Sequence, residues 1–128
     1  LGAAATAFRR RLAALVERDA WWTVDAPDDV YTSVWREYDE TITIHFLNAS
    51  GTAPKIGENL AFEAPETAFA PLVHDIRFTV PEDESAVAVS PDFHGERRLK
   101  AERAPDRSLT VTLPKELLRI YTLVRIVK

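Results

Sequence analysis

The chain has 128 residues, enough for one domain that buries about two-thirds of its unfolded surface; its 46% hydrophobic and 28% charged content is that of a folded globular protein, not a disordered one. A net charge of -4 argues against general attraction to nucleic acid or anionic lipid, and no apolar run reaches membrane-spanning length. Zero cysteines exclude disulfides, thiol nucleophiles and thiolate metal sites.

The first element is helical. Alanines at positions 3, 4, 5, 7, 13 and 14 are strong helix formers. Phe8, Leu12, Leu15 and Val16 recur at helical spacing, with Arg9, Arg10, Arg11, Glu17 and Arg18 mostly on the other side. These residues predict one amphipathic helix over 3–19. A sharp shift in composition near residue 20 divides the chain into a helix or junction over 1–20 and a β-rich body over 21–128. The lack of methionine, together with Leu1 at the start, predicts a piece of a longer chain whose upstream part belongs to another domain.

The body then offers strands at regular intervals. Ala26-Pro-Asp-Asp29 reads as a turn opening a strand from Val30 to Tyr38, on which Tyr31 and Trp35 share a face. Over 40–48, Ile42, Ile44 and Phe46 alternate with Thr41, Thr43 and His45, so the two-residue period puts the apolar groups on one side. Residues 53–70 form a long loop, either a functional loop or an irregular crossover between sheets, of which the crossover is the commoner. Further strands are expected at 73–80, 85–90, 97–103, 108–113 and 118–127, separated by Pro91-Asp92 and Pro105-Asp106 turns. The charged run Arg97 to Arg103 suits an edge strand. The last strand is apolar on both faces, with Leu118, Ile120, Val124 and Ile126 on one and Leu117, Tyr121, Leu123 and Val127 on the other. It should therefore be central, its second face covered by the N-terminal helix or by a neighbouring domain. The expected fold is mainly β, an antiparallel Greek-key (immunoglobulin-like) sandwich of about seven strands with one N-terminal α-helix.

Candidate chemistry is sparse. His45, His74 and His94 do not fall at metal-ligand spacing, and no phosphate-cradling glycine loop or nucleophile elbow occurs. No metal or cofactor is therefore expected. His45 and His74 read as ordinary strand positions with hydrogen-bonded imidazoles. The acidic clusters Asp28-Asp29 and Glu82-Asp83-Glu84 lie beside prolines in predicted turns, where carboxylates shape the backbone and stay solvated. The ligand-binding candidates are Trp21, Trp22 and Trp35, as a platform for sugar rings. The competing reading, packing in the core and at the helix junction, is favoured because large aromatics dominate cores.

Ile44-His-Phe-Leu-Asn48, Pro71-Leu-Val-His-Asp-Ile-Arg-Phe78, Ser90-Pro-Asp92, Leu109-Thr-Val-Thr-Leu-Pro114 and Tyr121-Thr-Leu-Val124 together resemble the C-terminal β-sandwich domain of multidomain glycoside hydrolases of the β-galactosidase-like kind. The resemblance spans about residues 30–128. It implies a non-catalytic module that follows a catalytic barrel and often a domain resembling a glutamine amidotransferase. The implied partner is an upstream catalytic or assembly domain of the same chain, with a homo-oligomer open. The rival expectation from the residues is a carbohydrate-binding module using exposed tryptophans.

Overall fold

A computed structural model describes residues 2–17, 22–50, 55–56, 62–63, 70–81 and 85–127. After helix α1 (Ala3–Glu17) come β1 (Thr23–Asp25), β2 (Val30–Arg36), β3 (Ile42–Asn48), β4 (Lys55–Ile56), β5 (Phe62–Glu63), β6 (Ile76–Val80) and β7 (Ser85–Val89). They are followed by β8 (Arg97–Arg98), β9 (Lys100–Arg103), β10 (Leu109–Leu113), a 3-10 turn (Lys115–Leu117) and β11 (Tyr121–Val127). One sheet has the order β1-β6-β10-β9 and the other β2-β3-β11-β7-β8, and every pairing is antiparallel. The links β3 to β6, β6 to β7 and β10 to β11 each pass from one sheet to the other, as a Greek-key sandwich requires.

Alternation sets which residues fill the space between the sheets. Ile42, Ile44 and Phe46 of β3 and Val124 and Ile126 of β11 meet Ile76, Phe78 and Val80 of β6 and Leu109, Val111 and Leu113 of β10, all buried. The rings of Phe46 and Phe78 lie 5.5 Å apart at a 44° tilt. That places an aromatic contact from one sheet to the other, within the separation that favours tilted rings. The central place expected for the last strand is observed, since β11 is third of five.

Two hairpins are built alike. In the β2–β3 turn, Glu37 N–H donates to Thr41 C=O and Glu40 N–H to Glu37 C=O, with Glu40 at φ 67. In the β9–β10 turn, Ala104 N–H donates to Ser108 C=O and Arg107 N–H to Ala104 C=O, with Arg107 at φ 73. Each is a three-residue connection of a type I turn closed by a left-handed residue. The aspartate before that residue finishes the turn, Asp39 Oδ1 accepting from Thr41 N–H at 3.0 Å and Asp106 Oδ1 from Ser108 N–H at 3.0 Å.

Several boundaries differ from expectation. The strand expected over 97–103 is divided at Leu99, which is buried and donates its N–H to Ala86 C=O, so β8 edges one sheet and β9 the other. The charged run thus guards two edges. β6 begins at Ile76, leaving His74 in a bend, and residues 115–117 form a 3-10 turn before β11. The expected loop 53–70 contains the paired β4 and β5 and ends at Ala70, which bonds Asn48 and Ser50; its other residues lie outside the described ones, as do 18 and 19 of the predicted helix.

The helix does not serve as the expected cover. Phe8, Leu12 and Leu15 are 65%, 50% and 65% exposed, so its apolar stripe faces solvent. With no acidic residue in its first turn and no basic residue in its last, α1 carries no charges placed to complement its dipole.

Candidate functional surface

The surface with most unspent chemistry is the outward face of the five-stranded sheet. Register fixes its rows. Tyr31, Leu47 and Tyr121 stand side by side across β2, β3 and β11, and Ser33, His45, Leu123 and Val89 form the next row. In the third row Thr43 sits between Trp35 and Arg125, with Val87 beyond. Flanked in this way Thr43 is buried although it points away from the core, and its hydroxyl donates to Glu37 Oε1.

Tyr31 and Trp35 are 63% and 60% exposed. The Trp35 indole N–H reaches Ser33 Oγ at 3.4 Å on the same strand face. Leu47 and Val127 are also exposed, whereas Tyr121 and Leu123 are half-buried. An aliphatic and aromatic face with a few hydroxyls suits contact with another apolar surface or with the faces of sugar rings.

Beside this face lies an open groove of about 420 Å³ between the 90–96 loop and β11, lined by Val89, Pro91, Phe93, Glu96, Tyr121 and Leu123. Arg97 lies over the Phe93 ring at 5.3 Å and donates to His94 C=O, which holds the loop in shape. The Arg125 guanidinium pairs with Glu96 across the loop. The groove is shallow and mostly apolar, and its polar rim is the Tyr121 hydroxyl, Ser90 and Glu96.

A second set of polar residues fixes the segment that delivers β11. Asn48, buried at 1% exposure, donates through its carboxamide to Ala70 C=O at 2.9 Å and Arg119 C=O at 3.0 Å, and its Oδ1 accepts from the Ser50 hydroxyl at 2.7 Å. Asp75 Oδ1 accepts from Lys115 N–H at 3.0 Å, Asp92 Oδ2 from Ile120 N–H at 3.2 Å, and the Ser90 hydroxyl donates to Tyr121 C=O at 2.7 Å. Thr122 Oγ1 donates to Leu117 C=O. The polar landmarks of the sequence motifs therefore converge on residues 115–121. Each satisfies a backbone group that the irregular connection leaves without a ladder partner.

The sequence candidates separate. Trp35 is on the outward face and is not a core residue, which corrects the favoured reading for that position: an odd-numbered position on β2 cannot reach the core that Val30 and Val34 face. Trp22 is half-buried and packs against the core, as that reading held. Trp21 and Glu82-Asp83-Glu84 lie outside the described residues. His45 is half-buried, with Nδ1 2.7 Å from the Tyr121 hydroxyl and the two rings 5.9 Å apart. His74 sits exposed ahead of β6 in the other sheet, so the structure does not build a pair from them. Asp28 and Asp29 are exposed in the turn before β2, where Pro27 C=O accepts from Val30 N–H. Sequence reasoning missed the structural weight of Asn48. An asparagine closing an apolar alternating strand was its only signal.

Among the described residues the shifted carboxyls all sit in turns or edges. The Thr41 amide and hydroxyl hold Asp39 below the ordinary aspartate range, the Ser108 hydroxyl and amide do so for Asp106, and the Lys100 ammonium does so for Glu102. These shifts belong to local structure. Compared with known proteins, the chain matches no protein-family model and no curated protein.

Proposed function

We propose that this chain is a non-catalytic accessory β-sandwich domain of a carbohydrate-active enzyme, working by contact with the catalytic or assembly part of the same protein. The observation that carries the reading is the outward row on the central strand and its neighbours: Tyr121, Leu123 and Val127 with Leu47, Tyr31 and Val89. The outward face of this central strand is apolar except at Arg125, and the sandwich leaves it only partly covered, with Tyr121 and Leu123 half-buried and Val127 exposed. Covering the remainder contributes about 25 cal/mol for each Å² of apolar surface removed. The stripe of Phe8, Leu12 and Leu15 on α1 offers more surface of the same kind. The resemblance of the 30–128 motifs to the closing domain of β-galactosidase-like hydrolases supplies the class of partner. Reading the open reading frame upstream of Leu1 tests this: a catalytic barrel is expected, and a stop codon immediately before Leu1 overturns it.

A second reading, carbohydrate binding, is favoured by one specific observation. Trp35 and Tyr31 face solvent four residues apart on the same strand face, with Ser33 between them to hydrogen-bond. Titrating the chain with β-linked and α-linked oligosaccharides while following tryptophan fluorescence separates the readings. A saturable change abolished by Trp35→Ala supports sugar binding, and a flat response removes it.

A further inference from the structure

The five-stranded sheet ends in β2, whose outer edge is built differently from the other edges of the sandwich. β8 and β9 present Arg97, Arg98, Lys100, Glu102 and Arg103, and β1 is three residues long. β2 runs seven residues, and Val30-Tyr-Thr-Ser-Val-Trp35 contains no charge, proline or glycine. Six successive edge residues without a blocking side chain, ended by the charged Arg36, are a template for another strand.

The hydrogen-bond parity says which groups are available. The bonds from Ala49 N–H to Asp29 C=O and from Glu37 N–H to Thr41 C=O show that odd-numbered residues of this strand exchange bonds with β3. The N–H and C=O of Thr32 and Val34 therefore point away from the sheet. Their side chains face inward and are half-buried, while Tyr31, Ser33 and Trp35 point outward.

We propose that β2 pairs antiparallel with β2 of a second copy of this chain about a twofold axis at Ser33, joining two five-stranded sheets into one. The even-numbered residues must exchange the new bonds, so only registers that place even opposite even are open. The register centred on Ser33 sets Thr32 opposite Val34 of the second copy and Val34 opposite Thr32, giving four backbone hydrogen bonds from groups that have no partner strand among the described residues. It also sets Tyr31 opposite Trp35 of the second copy, twice, at the non-hydrogen-bonded sites where cross-strand side chains approach most closely. Ser33 meets its own copy at the axis and leaves room for the four rings. Registers centred one residue to either side break both aromatic pairs. At each end Glu37 falls opposite Asp29 of the second copy, a like-charge pair at the solvated margin that opposes the pairing in part. A self-complementary strand of this kind gives a closed, isologous dimer, not a fibre, and the inference does not depend on which function the outward face performs.

Sedimentation equilibrium of the 128-residue chain up to millimolar concentration tests it. A monomer–dimer equilibrium is expected, and Val34→Pro, which removes an amide that no strand of its own sheet uses, is expected to raise the dissociation constant at least tenfold. Ser33→Glu sets two like charges opposite each other at the axis without touching the core. It is expected to have the same effect with an unchanged circular dichroism spectrum, and it decides the matter alone if Val34→Pro does not fold. Arg98→Glu on the opposite edge is expected to leave the dimer intact. A chain that stays monomeric throughout, or a dimer indifferent to both β2 variants, overturns the proposal.

Discussion

His45 Nδ1 and the Tyr121 hydroxyl lie 2.7 Å apart on the outward face of the five-stranded sheet, a diagonal bond between β3 and β11, because the register partner of His45 is Leu123 and that of Tyr121 is Leu47. Tyr121 also accepts, through its backbone carbonyl, the Ser90 hydroxyl that anchors the loop walling the groove. One residue therefore links the outward face, the groove and the start of the last strand. Tyr121→Phe keeps the ring and removes the bond, and should lower stability by about 0.5–1.5 kcal/mol in urea unfolding. His45→Ala should cost less in that background than in the parent chain, since the shared bond is already gone.

Asn48 should be among the most sensitive polar positions. Asn48→Ala leaves the carbonyls of Ala70 and Arg119 without their side-chain donor at a site where the side chain is buried. The expected loss is about 2–3 kcal/mol, with hydrogen exchange rising first at residues 115–121. Asn48→Asp keeps the shape but buries a charge and loses both donors, so it should be at least as damaging.

The core between the sheets and the outward face of the five-stranded sheet should respond differently to truncation. Phe78→Ala opens a cavity against Phe46 and should cost about 3–5 kcal/mol, whereas Leu123→Ala, half-buried on the outward face, should cost well under half of that in the isolated chain. Equal losses at both positions would mean that the outward face is packed within the chain itself.

Much of this architecture is legible from alternation alone. Ile42, Ile44 and Phe46, then Ile76, Phe78 and Val80, then Leu109, Val111 and Leu113 fall on the core side as their period requires. What alternation does not carry is tertiary. β1 is three residues long and is defined only by pairing with β6, and the break at Leu99 arises because one charged run must serve two sheets. Trp35 looks like a core aromatic by residue type, while its odd position on β2, shared with Tyr31, already assigned it to the other face. The helix stripe was legible as a stripe, but what it meets is not encoded in its spacing. The roles of Asn48, Asp75 and Asp92 depend on the 115–121 connection, which is distant in sequence from all three.

Acid should weaken the fold through its turns. Asp39 and Asp106 have carboxyls held below the ordinary aspartate range by the amides and hydroxyls of Thr41 and Ser108. Their stabilising effect is complete above the unfolded-state pKa and is lost as pH falls through the lower folded-state value. Asp106→Asn should therefore reduce stability near neutral pH and flatten the decline below the ordinary aspartate range, which urea midpoints across an acid series would show.

Glu40 holds φ 67 in the β2–β3 turn, a conformation that costs a side chain about 1 kcal/mol relative to glycine. Glu40→Gly should raise stability by up to about 1 kcal/mol, reduced by the flexibility glycine adds to the unfolded chain. Loss of the exposed Arg36–Glu40 ion pair should subtract little.

Oxidative footprinting of Tyr31, Trp35, Leu47, Tyr121 and Leu123 in the 128-residue chain and in the product of the complete reading frame tests the central claim most directly. Marked protection of Tyr121, Leu123 and Leu47 in the product of the complete reading frame, with the core residues unchanged, is the predicted result. Equal labelling of all five in both forms would contradict a domain that works through this face.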